Sequence, residues 1–149
     1  MKKIFLVLCL LISMAYYSSY AFQPDTNRWY WIYSNTENTI YVDLKTLKYD
    51  KSTDSANFYL LSTSPADNTF DITSCEIDFR SNTFYLHELY RYSAITHHLI
   101  LKDAGNVIQH IIPSSGGETI RNVIAGLTGR NETQAYLEDI RKNPGHIAY

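Results

Sequence analysis

Cysteine is scarce in this sequence. The 149-residue chain has two, Cys9 and Cys75, and Cys9 falls inside the one long apolar run, residues 4–14. If that run is removed on export, Cys75 stands alone and no internal disulfide can form. An odd cysteine in an exported chain is either buried or paired between chains. Burial is the expectation, because a free cysteine packs as a small hydrophobe. Basic runs are missing too, which argues against nucleic acid and against anionic membrane surfaces as partners. No apolar stretch reaches the roughly 20 residues that a membrane-spanning helix needs.

What the front end does contain is the layout of a signal peptide. Lys2 and Lys3 supply positive charge, residues 4–14 the short apolar core, and Ser19-Tyr20-Ala21 a small-x-small exit. The expected division is therefore a signal peptide over residues 1–21 and a single exported domain over residues 22–149. An uncleaved N-terminal anchor is the competing reading, and the shortness of the core speaks against it. Lipidation of Cys9 is not expected, since Leu8 precedes it and the apolar core continues through Leu10, Leu11 and Ile12. After cleavage no stable membrane insertion is expected, and the final location is the periplasm, the cell surface or the medium. Loss of Lys2 and Lys3 takes the formal charge from −2 to about −4. A domain of this length can bury a core of its own.

Of thirteen tyrosines, ten lie beyond residue 21, beside Trp29 and Trp31. Such amphipathic rings suit half-buried sheets and wet binding surfaces alike. Residues 28–33 (RWYWIY) and 39–44 (TIYVDL) read as two strands of a hairpin. Residues 44–54 read as a polar surface connection. A third strand is expected over 57–64, closed by Pro65 and the turn Ala66-Asp67-Asn68. Residues 70–80 alternate, with Cys75, Ile77 and Phe79 set against Glu76, Asp78 and Arg80, so that strand calls for one dry and one wet face. Beyond the turn at Ser81-Asn82, residues 83–92 pair with it. Residues 95–102 and 107–112 give the sixth and seventh strands, separated by a tight turn at 103–106.

After Pro113 the period changes. Ser115 and Glu118 match the S-x-x-E capping box, and Ile120, Val123, Ile124 and Leu127 follow at helical spacing. Gly129 supplies a stop. A second helix is expected from about residue 131, with Tyr136, Leu137 and Ile140 on one side, until Pro144-Gly145. Strands first and helices last indicate an α+β fold. The expected architecture is an antiparallel β-sheet of six or seven strands with C-terminal helices packed on one face.

Catalytic signatures are sparse, and the chain is not expected to be an enzyme. No G-x-S-x-G elbow occurs, and Cys75 among apolar neighbours is a dull thiol. Gly116-Gly117 precedes a helix without the lysine of a P-loop. Asp43, Glu76, Asp78 and Glu88 include no pair marked for acid–base work. The histidines are His87, His97, His98, His110 and His146. His97 and His98, adjacent in a strand, would face opposite sides. His87, one of that pair and His110 could gather imidazoles if their strands were neighbours, but no zinc-like spacing is present. No catalytic, metal or cofactor residue is assigned, and no cofactor is expected.

Several of these pieces together resemble a known family. The signal peptide precedes Trp29 and Ile32, then Tyr41-Val42-Asp43 with Leu47, a long strand bearing Glu76, and Ile112-Pro113-Ser114 leading into a helix with Glu118. This pattern resembles the surface-adhesin protein E family of exported bacterial proteins, over roughly residues 28–127. The resemblance implies an antiparallel sheet with a helix across its concave face, often a homodimer. It also implies adhesion to host extracellular-matrix proteins and some haem binding. Family members often pin the helix to the sheet with a disulfide, for which Cys75 would be the strand partner. This chain has no cysteine between Ser115 and Tyr149, so helix docking must rest on the apolar stripe alone. No binding motif aligns residue by residue, and no functional position is carried over.

The leading expectation is an exported, non-enzymatic, adhesin-like interaction domain. It would bind a macromolecule, such as a host-matrix or envelope protein, through its aromatic sheet surface. The alternative is a small-ligand, haem or metal carrier using its histidines.

Overall fold

A computed structural model describes residues 22–131. The signal peptide expected over residues 1–21 and the second helix expected from about residue 131 fall outside the described residues. Eight strands and one helix follow in order: β1 (Trp29–Ser34), β2 (Thr39–Asp43), β3 (Lys48–Asp50), β4 (Ser55–Ser64), β5 (Thr69–Asp78), β6 (Thr83–Ser93), β7 (Leu99–Asp103), β8 (Val107–His110) and α1 (Gly116–Leu127). All pairings are antiparallel, and the path across the sheet is β1-β2-β4-β5-β6-β7. β3 joins β4 and β8 joins β6.

Those last two pairings make the sheet a simple meander with two broken strands. β2 and β3 lie end to end along one edge of β4, and β7 and β8 lie end to end along the outer edge of β6. The turn expected at 103–106 therefore does not fold one strand onto another. Gly105 stays out of the left-handed region that hairpin turns favour, and the chain jogs and continues in the same direction. The sixth strand starts at Leu99 rather than at residue 95, because His97 has φ 58° and closes a turn. The seventh ends at His110. The connection read over residues 44–54 contains β3, a three-residue strand whose polar composition hid it.

Elsewhere the turn chemistry did what it should. Asn68 and Asn82 hold φ values of 51° and 52° at the two long hairpins, a conformation asparagine tolerates well. Asp78 accepts hydrogen bonds from the Arg80 and Ser81 amides at the β5–β6 turn. The β5–β6 register runs from Thr69↔Ser93 to Asp78↔Thr83, with a bulge near Cys75.

Alternate residues of these strands make the core. Ala56, Ile77 and Phe84 form one cross-strand row, and Phe58, Cys75 and Leu86 the next. Against them lie Ile120, Ile124 and Ala125 of α1. Cys75 is buried and free, and burial pushes its thiol well above the usual range. Ile124 is fully buried, a contribution of about 1.5–3 kcal/mol. Leu127 departs from the expected stripe, being more than a third exposed. It sits on the last turn, where Arg130 reaches the sheet instead.

Both ends of α1 are capped. Ser115 Oγ accepts from the Glu118 amide at 3.2 Å, and Glu118 Oε2 accepts from the Ser114 amide at 2.7 Å. At the other end Gly129 adopts φ 65°. The Arg130 amide donates to the Ala125 carbonyl and the Gly129 amide to the Gly126 carbonyl, the paired bonds of a Schellman motif. That motif aims the Arg130 side chain at Asp54, with Nε–Oδ1 2.7 Å and Nη2–Oδ2 2.8 Å. The guanidinium also lies 4.5 Å from the centre of the Phe79 ring.

Candidate functional site

The face of the sheet turned away from α1 carries the aromatic residues. One cross-strand row runs Trp31–Tyr41–Leu61–Ile72–Tyr90–Lys102, each residue the register partner of the next. A second row runs Thr63–Phe70–Tyr92–Leu99, and Tyr59 and Tyr85 lie on the same face. The even spacing of strand residues sets these rings on one side. Tyr41, Tyr59, Tyr85, Tyr90 and Tyr92 are half-buried.

The two tryptophans differ. Trp29 is 8% exposed and Trp31 56%, although both sit on the open side of the same hairpin. Trp29 packs with Leu61 and Phe70 in a small second core, closed by the segment before β1. There Phe22 stacks on Phe70 with centroids 4.2 Å apart, and Phe70 stacks on Tyr92 at 5.1 Å. The His97 ring meets both phenylalanines edge-on, at 6.0 and 6.1 Å. Arg28 covers Trp29 at 5.1 Å and pairs with the fully buried Asp43 at 2.6 Å. Trp31 keeps its ring in water and donates from Nε1 to Ser34 Oγ at 3.0 Å. Phe22 and Arg28, from the segment before β1, thus cap part of the face.

Toward β7 the surface becomes polar. Tyr90 Oη donates to Glu88 Oε2 at 2.7 Å, and Lys102 Nζ lies 5.1 Å from the centre of the Tyr90 ring. Tyr90 and the Glu88 charge hold the Lys102 ammonium above its usual range. An aromatic floor with adjacent charge of both signs can take both apolar and hydrogen-bonding groups.

The histidines do not converge. His97 lies at the β6–β7 turn, while His110 stands beside Thr83, with Nδ1 3.5 Å from Oγ1. These are opposite ends of β6, about 30 Å apart at a strand's rise per residue. His98 is exposed in the same turn as His97, so the two are not strand neighbours facing apart. His87 stacks on Tyr85 and lies 3.6 Å from Glu76. Among the described residues no three His, Cys, Asp or Glu side chains are grouped as a metal ion would require. His146 lies outside the described residues.

Two features were not readable from the residues. An apolar cleft of about 320 Å³ opens between the start of α1 and β6–β8, lined by Tyr33, Phe84, Leu86 and Ile120 and rimmed by His110. Gly116 forms its wall by close packing, since a Cβ there would stand 2.6 Å from Tyr33 Oη. On the same face, toward the β4–β5 turn, Asp71 and Arg91 form a double hydrogen bond at 2.8 Å in a polar recess. Among the described residues no helix is long and apolar enough to cross a membrane. The chain matches no family model, no curated protein and no solved structure.

Proposed function

We propose that this chain is an exported, non-enzymatic α+β interaction domain that binds a macromolecule through the open face of its sheet. In this reading it is adhesin-like, akin to the surface-adhesin protein E family that its sequence resembles. Its partner is a host-matrix or envelope protein. The row Trp31–Tyr41–Leu61–Ile72–Tyr90–Lys102 carries the reading. It sets a water-facing tryptophan and half-exposed tyrosines on a rigid scaffold, at low conformational cost to binding. The test is capture from envelope and host-matrix fractions by the purified chain. The variant carrying Trp31→Ala and Tyr90→Ala should lose that capture while melting at nearly the same temperature. Capture undiminished in this variant overturns the reading, as does a chain that captures nothing.

A small-ligand carrier is the second reading, favoured by the apolar cleft beside His110. Titration with haem or Zn²⁺ should then change absorbance or raise the melting temperature, and His110→Ala should weaken the change. A flat titration removes this reading. Export itself is tested by the mass of the protein recovered outside the cytoplasm, which should start at Phe22.

A further inference from the structure

Where the open face is covered, a side chain from the segment before β1 does the covering. Phe22 lies nearly parallel to Phe70, and Phe70 to Tyr92, with interplanar angles of 17° and 14°. The His97 ring stands edge-on to Phe22 and Phe70, at 67° and 81°. Together these rings form a slot on the Trp29–Leu61–Phe70 cluster, filled by one phenyl ring.

The slot and its occupant are fastened differently. Phe70 and Tyr92 are register partners on β5 and β6. The turn that carries His97 is tied by backbone bonds: the Ser93 amide donates to the His98 carbonyl at 3.0 Å and the His97 amide to the Ser93 carbonyl at 2.9 Å. The Ala94 amide donates to the Asn68 carbonyl at 2.8 Å. Phe22 lacks ties of this kind. Among the described residues, the hydrogen bonds of the leading segment begin at Asp25, whose carbonyl accepts from the Arg28 and Trp29 amides. Pro24 has no amide to donate. Ring contact alone seats Phe22, which stays part-exposed, whereas Phe70 beneath it is 6% exposed.

We infer that this slot is a binding site for an aromatic side chain of a partner protein, and that Phe22 is a resident plug which the incoming ring displaces. The occupant itself names the chemistry. It stacks on Phe70 and meets the edge of His97, the two arrangements that aromatic rings favour. An aliphatic side chain fills the same space without either. The slot adjoins the open face, because the row Thr63–Phe70–Tyr92 runs beside Leu61–Ile72–Tyr90 on the same strands. The inference thus deepens the open-face reading and rests on it for the partner. Phe22, on a short tether, competes at an effective concentration on the order of millimolar. The apparent affinity of an incoming ring falls only by the fraction of chains in which the slot is vacant. A partner already held at Trp31 and Tyr90 presents its ring on a tether too, and so competes on equal terms.

The test titrates N-acetyl-4-fluorophenylalanine amide into the purified chain and follows it by fluorine NMR. Phe22→Ala should tighten binding about fivefold by vacating the slot, and Phe22→Trp should weaken it. Shift changes in the protein should gather at Phe70, Tyr92 and His97. N-acetylcyclohexylalanine amide, of similar size but without a π-face, should bind more weakly. Melting temperatures report whether each variant is folded, and Phe22→Trp, which removes no apolar surface, keeps the comparison if Phe22→Ala is unstable. Probe binding that is equal in all three chains, absent from all three, or confined to other residues overturns the slot and leaves the open face standing. Capture from envelope and host-matrix fractions should rise with Phe22→Ala and fall with Phe22→Trp, and capture indifferent to both overturns the partner's use of the slot. Capture undiminished by Trp31→Ala with Tyr90→Ala instead overturns the open-face reading, while the probe still follows residue 22.

Discussion

The two faces of this sheet are made from alternate residues of the same strands, and they are finished differently. On one face Val42, Ala56, Phe58, Cys75 and Ile77 are almost fully enclosed, and α1 covers them with Ile120, Ile124 and Ala125. On the other, the large apolar side chains enclosed among the described residues are Trp29, Leu61 and Phe70, under a short segment carrying Phe22, and the remaining rings are half in water. A covered face holds the fold together. A face that is covered at one end only can still meet a partner.

If that contrast is right, substitutions should separate the faces by size of effect. The largest loss is expected at the clasp that holds α1 down. Arg130→Ala leaves Asp54, a carboxylate whose side chain is 10% exposed, without its ion-pair partner and with the Tyr49 hydroxyl still bonded to it, and should cost about 3–5 kcal/mol in urea unfolding. Ile124→Ala empties a site under the helix and should cost about 2–5 kcal/mol. A loss below about 0.5 kcal/mol at both positions would mean that α1 does not cover the sheet.

The tryptophans give the finest comparison. Trp29→Ala should destabilise by about 3 kcal/mol, whereas Trp31→Ala should stay within about 0.5 kcal/mol. Equal effects would erase the distinction between the enclosed and the open end of that face. Between these two falls Phe22→Ala, expected to cost about 1 kcal/mol through its lost ring stacking.

Acid and alkali should sharpen the picture of the clasp. Burial of Asp54 raises its pKa, but hydrogen bonds from Arg130 and Tyr49, together with the Arg130 charge, outweigh it and hold the carboxyl below its usual range. A folded pKa below the unfolded value of about 3.9 means the stabilisation is present above that pH and is lost as pH falls through the folded value. Tyr49 shifts the other way. Burial first, then its hydrogen bond to Asp54, raises it to about 12. Its contribution is complete below the unfolded value of about 10 and is lost as pH rises from there towards about 12. Stability measured against pH should show both limbs, and Arg130→Ala should flatten the acid one.

Much of the fold was legible where local chemistry decides it. Asn68 and Asn82 marked the long hairpins, the alternation through Cys75 and Ile77 gave the dry face, and Ser115 with Glu118 marked the start of α1. β3 was hidden because its residues, Lys48, Tyr49 and Asp50, look like surface loop until β4 pairs with them. The in-line arrangement of β7 and β8 was hidden because a short polar link can reverse a chain or only jog it. The candidate site was half legible. The aromatic content pointed to the open face, but register and the overlying Phe22 decide which tryptophan meets water, and neither is visible in neighbouring residues. Asp54 and Arg130 are 76 positions apart, beyond the reach of any spacing rule.

That separation has a consequence for the order of assembly. A ribosome finishes the strands β1 to β6 well before it adds residue 130, and chains grow by only about 5–20 residues per second. Throughout that interval Asp54 has the Tyr49 hydroxyl and the Arg80 charge nearby but lacks its double hydrogen bond to Arg130, so closing the sheet around it is penalised. The clasp thus acts as a late latch, holding the nascent chain short of commitment until nearly all of its strands and its helix can close at once.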